Sequence, residues 1–241
     1  MTHPNAETSM AQNGQNASFW RSHTQIYLQP VAAPSILGLY GLAAALFIVG
    51  ANLAGWYGTA VTPLVLFPFV LFFGGLAQFL AGMWSYRARD GLATAMHGMW
   101  GSFWIAYGIY WLFVAMTVLP PISVSRTAML GVGYWFIVLA AITWVGALAA
   151  LARHLALAVT LAVLAAGSTI LAIGWTWPVA SIVRPAGDVL VAAAVIAFYA
   201  ASALMLEGSF RRPLLPLDRA RGVRAEPIQY ELGEPGVKVG Q

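Results

Sequence analysis

Cysteine is absent from this 241-residue chain, which excludes disulfides, thiolate metal sites and a cysteine nucleophile. Histidine is scarce, and none of the four histidines stands at a metal-ligand spacing from another histidine or from a carboxylate. We therefore expect neither a bound metal nor any other cofactor.

Charge is scarce as well: only 8% of the residues are charged, whereas 60% are hydrophobic. Soluble domains carry about 25% charged residues, so this deficit excludes a soluble class and indicates an integral membrane protein with the lipid bilayer as its surroundings. The net charge of +4 is no sign of a nucleic-acid partner, because half of the lysines and arginines lie beyond residue 207.

No aspartate or glutamate lies in the middle of an apolar segment; Asp188 and Glu207 stand at the two ends of the last one. This excludes a buried carboxylate proton relay. It also excludes a Ser-His-Asp hydrolase, because no acid is placed to orient His97, the one titratable group well inside a segment. We expect no enzyme activity, because no nucleophile, base and orienting group occur together.

The chain is rich instead in long apolar segments. A membrane-spanning helix needs about 20 mostly apolar residues. Six segments qualify: 35–54, 62–84, 92–118, 129–151, 155–175 and 187–207. The sequence therefore predicts an all-α membrane protein of six transmembrane helices in one bundle. It divides into a mobile cytoplasmic arm (1–34), a membrane domain (35–207) and a cytoplasmic tail (208–241).

The basic residues predict the orientation of this bundle. Ten lysines and arginines fall on one side of the six predicted spans, whereas only Arg126 and Arg184 fall on the other. Because cytoplasmic loops carry the excess of positive charge, both termini are predicted to be cytoplasmic, in a bacterial-type inner membrane.

The second and third segments carry most of the polar candidates. Gln78 either joins helices by a hydrogen bond or lines a solute path. His97 is either hydrogen-bonded to a neighbouring helix, or a path-lining donor or pH sensor. Gly74 and Gly82 flank Gln78 at four-residue spacing, so they either allow close helix packing or leave room for a solute beside the amide.

Trp100, Trp104, Tyr107 and Trp111 form one aromatic stripe along the third helix. The stripe is expected to face lipid, a neighbouring subunit or a pore, with packing or lipid favoured for Trp111, which approaches the outer interface.

Depth along the helices singles out five residues. At 1.5 Å per residue, all five lie roughly 8–12 Å below the cytoplasmic interface. They are Leu42, Gln78, His97, Trp100 and Leu161. If their faces converge, they form one constriction in the inner half of the membrane.

Several motifs resemble the acetate uptake transporter family, the succinate–acetate permease group, over residues 33–216. The segment 73–82 (FGGLAQFLAG) followed by Tyr86 resembles that family's glycine-rich helix, 101–104 (GSFW) matches its YGSFW, and 33–39 (APSILGL) sits at its NPAPLGL signature. The chain departs from the family pattern at Ala33, Ile36, Leu42, Ser85, Trp100 and Leu204.

The resemblance implies a channel or proton symporter for small monocarboxylates, acetate-like and possibly including succinate. It also implies a homo-hexamer with a path through each protomer. Leu42, Trp100 and Leu161 are then expected to form the hydrophobic gate. The expected substrate-binding residues are Pro34, Leu37 and Gly38 at the positive end of the first helix, and Gln78, His97 and Ser102 beside the gate.

Two other functions remain open from the residues. A channel for a neutral solute such as urea, an amide or ammonia fits the lack of basic residues along the path. A signalling or scaffold membrane protein would use the tail to bind a partner.

Overall fold

The structure, a computed structural model, describes residues 32–59 and 61–218. In these two ranges the long elements are helices and no strand occurs. The helices are α1 (Pro34–Leu53), α2 (Thr62–Arg87), α3 (Gly91–Ala115), α4 (Arg126–Ala150), α5 (Leu155–Thr176) and α6 (Ala180–Phe210), with a 3-10 turn at Ile122–Val124 before α4. The prediction of an all-α membrane protein with six membrane helices is confirmed.

Five of the six helices, all except α3, are both long enough and apolar enough to cross a membrane. The 25 residues of α3 span about 37 Å at 1.5 Å per residue, which exceeds the bilayer core of about 30 Å. Its composition is less apolar because it contains His97, Ser102 and several glycines. His97 is buried within the bundle, so this polar group faces other helices rather than lipid.

The six helices close into a ring. Each packs against its neighbours in sequence, and α6 returns to pack against α1; the contact between α3 and α4 is the least extensive of these neighbouring contacts. Successive helices run in opposite directions. Arg126 and Arg184 therefore lie at one end of the ring, called here the outer end, and Arg87, Arg89 and Arg153 lie at the opposite, inner end.

A change of helix type interrupts α2. Pro68 has no N–H with which to continue the α-helical ladder, and Val70–Ala77 directly after it is a π-helix. The α-helical pattern resumes at Gln78. Short π segments are frequent at functional sites.

The last helix is longer than predicted. The sequence predicted a loop up to Gly187, but α6 begins at Ala180 and ends at Phe210. Pro185 lies in the second turn of α6, near the helix end, where the loss of a single backbone hydrogen bond is tolerated. The predicted start at residue 187 is therefore wrong.

The first residues of the tail fold back onto the helices. Tyr199 donates its hydroxyl to the Pro216 carbonyl (2.7 Å), and the Leu155 N–H donates to the Asp218 carbonyl (2.9 Å). Leu217 is buried, and its carbonyl accepts from the second N–H of α5. The carbonyls of Leu217 and Asp218 thus bind N–H groups that have no partner within their own helix. The predicted arm up to residue 31, and the predicted tail from 219 to 241, lie outside the described residues.

Candidate functional site

Among the described residues, an outer and an inner cavity lie inside the ring. The outer cavity has a volume of about 490 Å³ and the inner cavity about 210 Å³. Trp100 lines both, and its side chain is only 1% exposed. The Trp100 indole therefore stands between the two cavities.

The five residues selected by depth all line the inner cavity. They are Leu42, Gln78, His97, Trp100 and Leu161, and each is at most 4% exposed. Their faces thus converge in the structure, although they come from four different helices. Whether they act as a gate remains a hypothesis.

Two polar atoms at this cavity have no hydrogen-bond partner among the described residues. They are Oε1 of Gln78 and Nδ1 of His97. A buried polar atom left without a partner costs about 1–3 kcal/mol, which a water or a solute in the cavity can offset. Oε1 of Gln78 and Nδ1 of His97 are therefore buried polar atoms without a partner on residues that line the inner cavity, in addition to the polar side chains of Ser35, Asp90, Arg153 and His154.

Glycines set the position of these side chains by allowing close helix approach. A Cβ atom at Gly38 would lie 2.5 Å from Nδ1 of His97, so the imidazole occupies the space that a side chain would need. A Cβ atom at Gly82 would lie 2.7 Å from the Gly98 nitrogen, and one at Gly74 would lie 2.5 Å from Ala45 Cβ. The packing interpretation of Gly74 and Gly82 therefore fits the structure, because neither lines a cavity.

Four other candidates do not line either cavity: Pro34, Leu37, Gly38 and Ser102. Leu37 is 47% exposed, because the cavity-facing positions of α1 (Ser35, Leu39 and Leu42) follow a spacing of four and three residues that Leu37 does not share. The Ser102 hydroxyl donates back to the Gly98 carbonyl at 2.8 Å. Contact of these four residues with a solute therefore stays a prediction that the lining of the two cavities does not support.

An ion pair lies at the wall of the inner cavity. Arg153 Nη2 and Asp90 Oδ1 are 3.2 Å apart, and both residues line the cavity. Asp90 also caps α3 by accepting the Ala93 N–H at 3.0 Å. The pair connects the α2–α3 loop with the α4–α5 loop across the inner end of the ring.

Aromatic side chains line much of the outer cavity. The stripe of Trp100, Trp104, Tyr107 and Trp111 faces this cavity, and Trp111 is only 4% exposed, which fits packing rather than lipid contact for this residue. Phe103 lies among these side chains, with its ring centroid 4.9 Å from that of Trp104.

Phe136 on α4 and Trp175 on α5 also line the outer cavity, and no motif in the sequence predicted it. Their ring centroids are 5.2 Å apart in an edge-to-face arrangement. No pattern separated them from surface aromatics such as Tyr134 and Trp144, which are 62% and 43% exposed.

One cation lines the outer cavity in the described part of the chain. Arg184 stands four residues before Asp188 on α6, a spacing that often gives an ion pair. Here Asp188 accepts instead from the Trp56 indole N–H at 2.9 Å, and no ion pair joins it to Arg184 within the described ranges. The Arg184 guanidinium therefore remains available to the outer cavity.

A ring of membrane-length helices around two cavities separated by one buried side chain defines a multi-pass membrane protein with an internal constriction. Residues 17–216 match the model of the GPR1/FUN34/yaaH family, and the chain belongs to that family. The identification of the acetate uptake transporter family from the motifs is thereby confirmed.

The fold is similar to a solved structure of the bacterial acetate channel SatP. The TM-score is 0.71, the sequence identity is 22%, and the match covers 78% of this chain and 99% of that one. No sequence among the curated proteins matches this chain.

Proposed function

We propose that this protein is a membrane channel or transporter for small monocarboxylic acids, acetate above all, which pass between the two cavities through a constriction of Leu42, Trp100 and Leu161. The observation that carries the proposal is that Trp100 lines both cavities while being 1% exposed. Family membership supports it, as does the similarity in fold to an acetate channel.

The chemistry of the constriction favours the neutral acid. Leu42, Trp100 and Leu161 present apolar groups, and burying an unpaired carboxylate among them is costly. A protonated acid can donate its O–H to Gln78 Oε1 and accept at its carbonyl oxygen. Since no acidic residue lies in the middle of a predicted span, the solute itself would carry the proton, so that transport is proton-coupled.

The charges near the two cavities suit an anion on its way to the constriction. Arg184 lines the outer cavity without an ion-pair partner in the described residues, and Arg153 lines the inner one beside Asp90. A carboxylate is attracted at either end by these cations. It takes up a proton before it enters the apolar section. Succinate would pass more slowly than acetate, because it must lose two charges.

A neutral solute is the second candidate, and the unpartnered Gln78 Oε1 favours it as well. Urea or a short amide would supply an N–H donor to this oxygen and would need no proton. Flux that is independent of pH would distinguish this function from acid transport.

We further infer a homo-hexamer in a bacterial inner membrane, with a separate path through each protomer and with both termini in the cytoplasm. The hexamer follows from the family resemblance, and the orientation follows from the distribution of basic residues. Native mass spectrometry tests the stoichiometry. Reporter fusions at Arg126 and Gln241 should fall on opposite sides of the membrane, and the same side for both would contradict a six-span topology.

The proposal is tested by uptake into proteoliposomes. Labelled acetate, lactate, succinate and urea are offered with and without a pH gradient, and protein-free liposomes are the control. We expect acetate to enter fastest and to accumulate when the interior is alkaline, because the acid releases its proton there. Uptake of urea alone, or acetate uptake no faster than in protein-free liposomes, would exclude acid transport.

A further inference from the structure

We propose that Thr143 is a positioning residue that fixes the orientation of the Trp100 indole and thereby sets the size of solute that can pass. This inference rests on the proposed function, since it takes Trp100 to obstruct the path. Thr143 lines neither cavity, so it would act through Trp100 alone.

A directed chain of hydrogen bonds joins the two residues. The Trp100 Nε1–H donates to Thr143 Oγ1 at 3.0 Å, and the Thr143 hydroxyl donates to the Leu139 carbonyl at 2.6 Å. Because an indole nitrogen only donates and a carbonyl only accepts, the direction of both bonds is fixed. Thr143 and Leu139 are both 0% exposed, so water does not compete for either bond.

This bond crosses the least extensive neighbouring contact of the ring, between α3 and α4. On its own helix, Trp100 meets Phe103 and Trp104 only through ring contacts, with centroids 5.5 and 6.4 Å away. Ring contacts of this kind tolerate several orientations, whereas a hydrogen bond at Nε1 selects one. The hydrogen bond to Thr143 therefore fixes the orientation of the indole between the two cavities.

A hydrogen bond at the indole nitrogen is not shared by every buried tryptophan of α3. Nε1 of Trp104 is buried and makes no hydrogen bond to a described residue, although its ring lines the outer cavity. Of Trp100 and Trp104, only Trp100 both separates the cavities and donates its N–H to a described residue.

Replacing Thr143 by valine keeps the branched shape at Cβ but removes the acceptor for the indole. A buried N–H without a partner is unfavourable, so the ring would turn toward one of the cavities, where water can bind it. The space between the cavities then widens. We expect the ratio of butyrate to acetate flux to rise about three- to tenfold, the population change that one typical net hydrogen bond supports.

The experiment compares matched variants in proteoliposomes, with flux expressed per folded protein. Thr143→Val should raise the butyrate-to-acetate ratio, and Thr143→Ser should restore it because the serine hydroxyl keeps the acceptor. Thr160→Val is the matched control: Thr160 is also 0% exposed and donates to the carbonyl four residues earlier (2.7 Å), but it receives no side-chain donor from the described residues. Its ratio should equal that of the wild type.

A double-mutant cycle separates positioning from simple packing. In a Trp100→Phe background there is no indole N–H, so Thr143→Val should cause no further change in the ratio. An equal change in both backgrounds would overturn the proposal, as would an unchanged ratio in folded Thr143→Val. Wild-type vesicles that pass no acid would overturn the proposed function itself, and this inference with it.

Discussion

Removing the Trp100 side chain is the most direct test of the constriction. A buried tryptophan covers about 150–250 Å² of surface, and within a membrane this area stabilises the fold through packing contacts rather than through removal from water. Measured large-to-alanine substitutions of aromatic residues cost about 3–5 kcal/mol. Because Trp100 already borders cavities on two sides, neighbouring atoms cannot fill the space. We therefore expect Trp100→Ala to lower the free energy of unfolding by about 4 kcal/mol.

The same substitution should increase transport, since it joins the two cavities. Acetate flux per folded protomer should rise, and acids as large as butyrate should enter. Trp111→Ala is the control: Trp111 is 4% exposed and lines only the outer cavity, so its loss should reduce stability without relaxing the size limit. Unchanged flux and selectivity in folded, assembled Trp100→Ala would refute the view that this indole obstructs the path.

Three further substitutions test individual contacts. Gln78→Leu should reduce acid flux but leave thermal stability almost unchanged, because the Oε1 atom of Gln78 has no partner to lose; a loss of about 0.6–2 kcal/mol with normal flux would indicate a helix-joining role instead. Gly82→Ala should destabilise by about 1–3 kcal/mol because backbone lies in the way of its Cβ, whereas Gly131→Ala, with open space, should not; equal melting temperatures would contradict this packing. Asp90→Ala should lower the melting temperature more than Arg153→Ala, because it removes a helix cap as well as an exposed ion pair; the reverse order would be inconsistent with the capping role.

Depth in the membrane was predictable from the sequence because a helix rises by a constant amount per residue. Counting from the predicted helix ends selected Leu42, Gln78, His97, Trp100 and Leu161, and the structure places all five on the inner cavity. Helix ends were predicted where the apolar segments end at short polar or basic loops.

The direction in which a side chain faces was much harder to predict. In a membrane the lipid-facing and buried sides of a helix are both apolar, so periodicity separates them poorly. For this reason the sequence did not show that the Leu37 side chain is 47% exposed, and it left packing and lipid contact both open for Trp111, which is 4% exposed. The start of α6 was missed because Pro185 resembles a loop residue although it lies within the helix.

The hydrogen bond between Trp100 and Thr143 could not be predicted from the sequence either. It joins residues 43 positions apart on different helices, and a threonine within an apolar helix is an ordinary residue. The same holds for the Arg153–Asp90 pair, which joins two loops separated by two helices.

The closure of the ring has a consequence for the order in which the protein assembles. α1 is synthesised first, whereas its partner α6 is synthesised last. The hydrogen bond of 3.0 Å between the hydroxyls of Tyr40 and Ser202 can form only after the 162 residues that follow Tyr40 have been synthesised. Until then the glycine- and alanine-rich face of α1 that will contact α6 has no permanent neighbour. A ribosome that stalls before α6 would therefore leave an open arc of helices, whose unpaired face is a target for membrane chaperones and quality-control proteases.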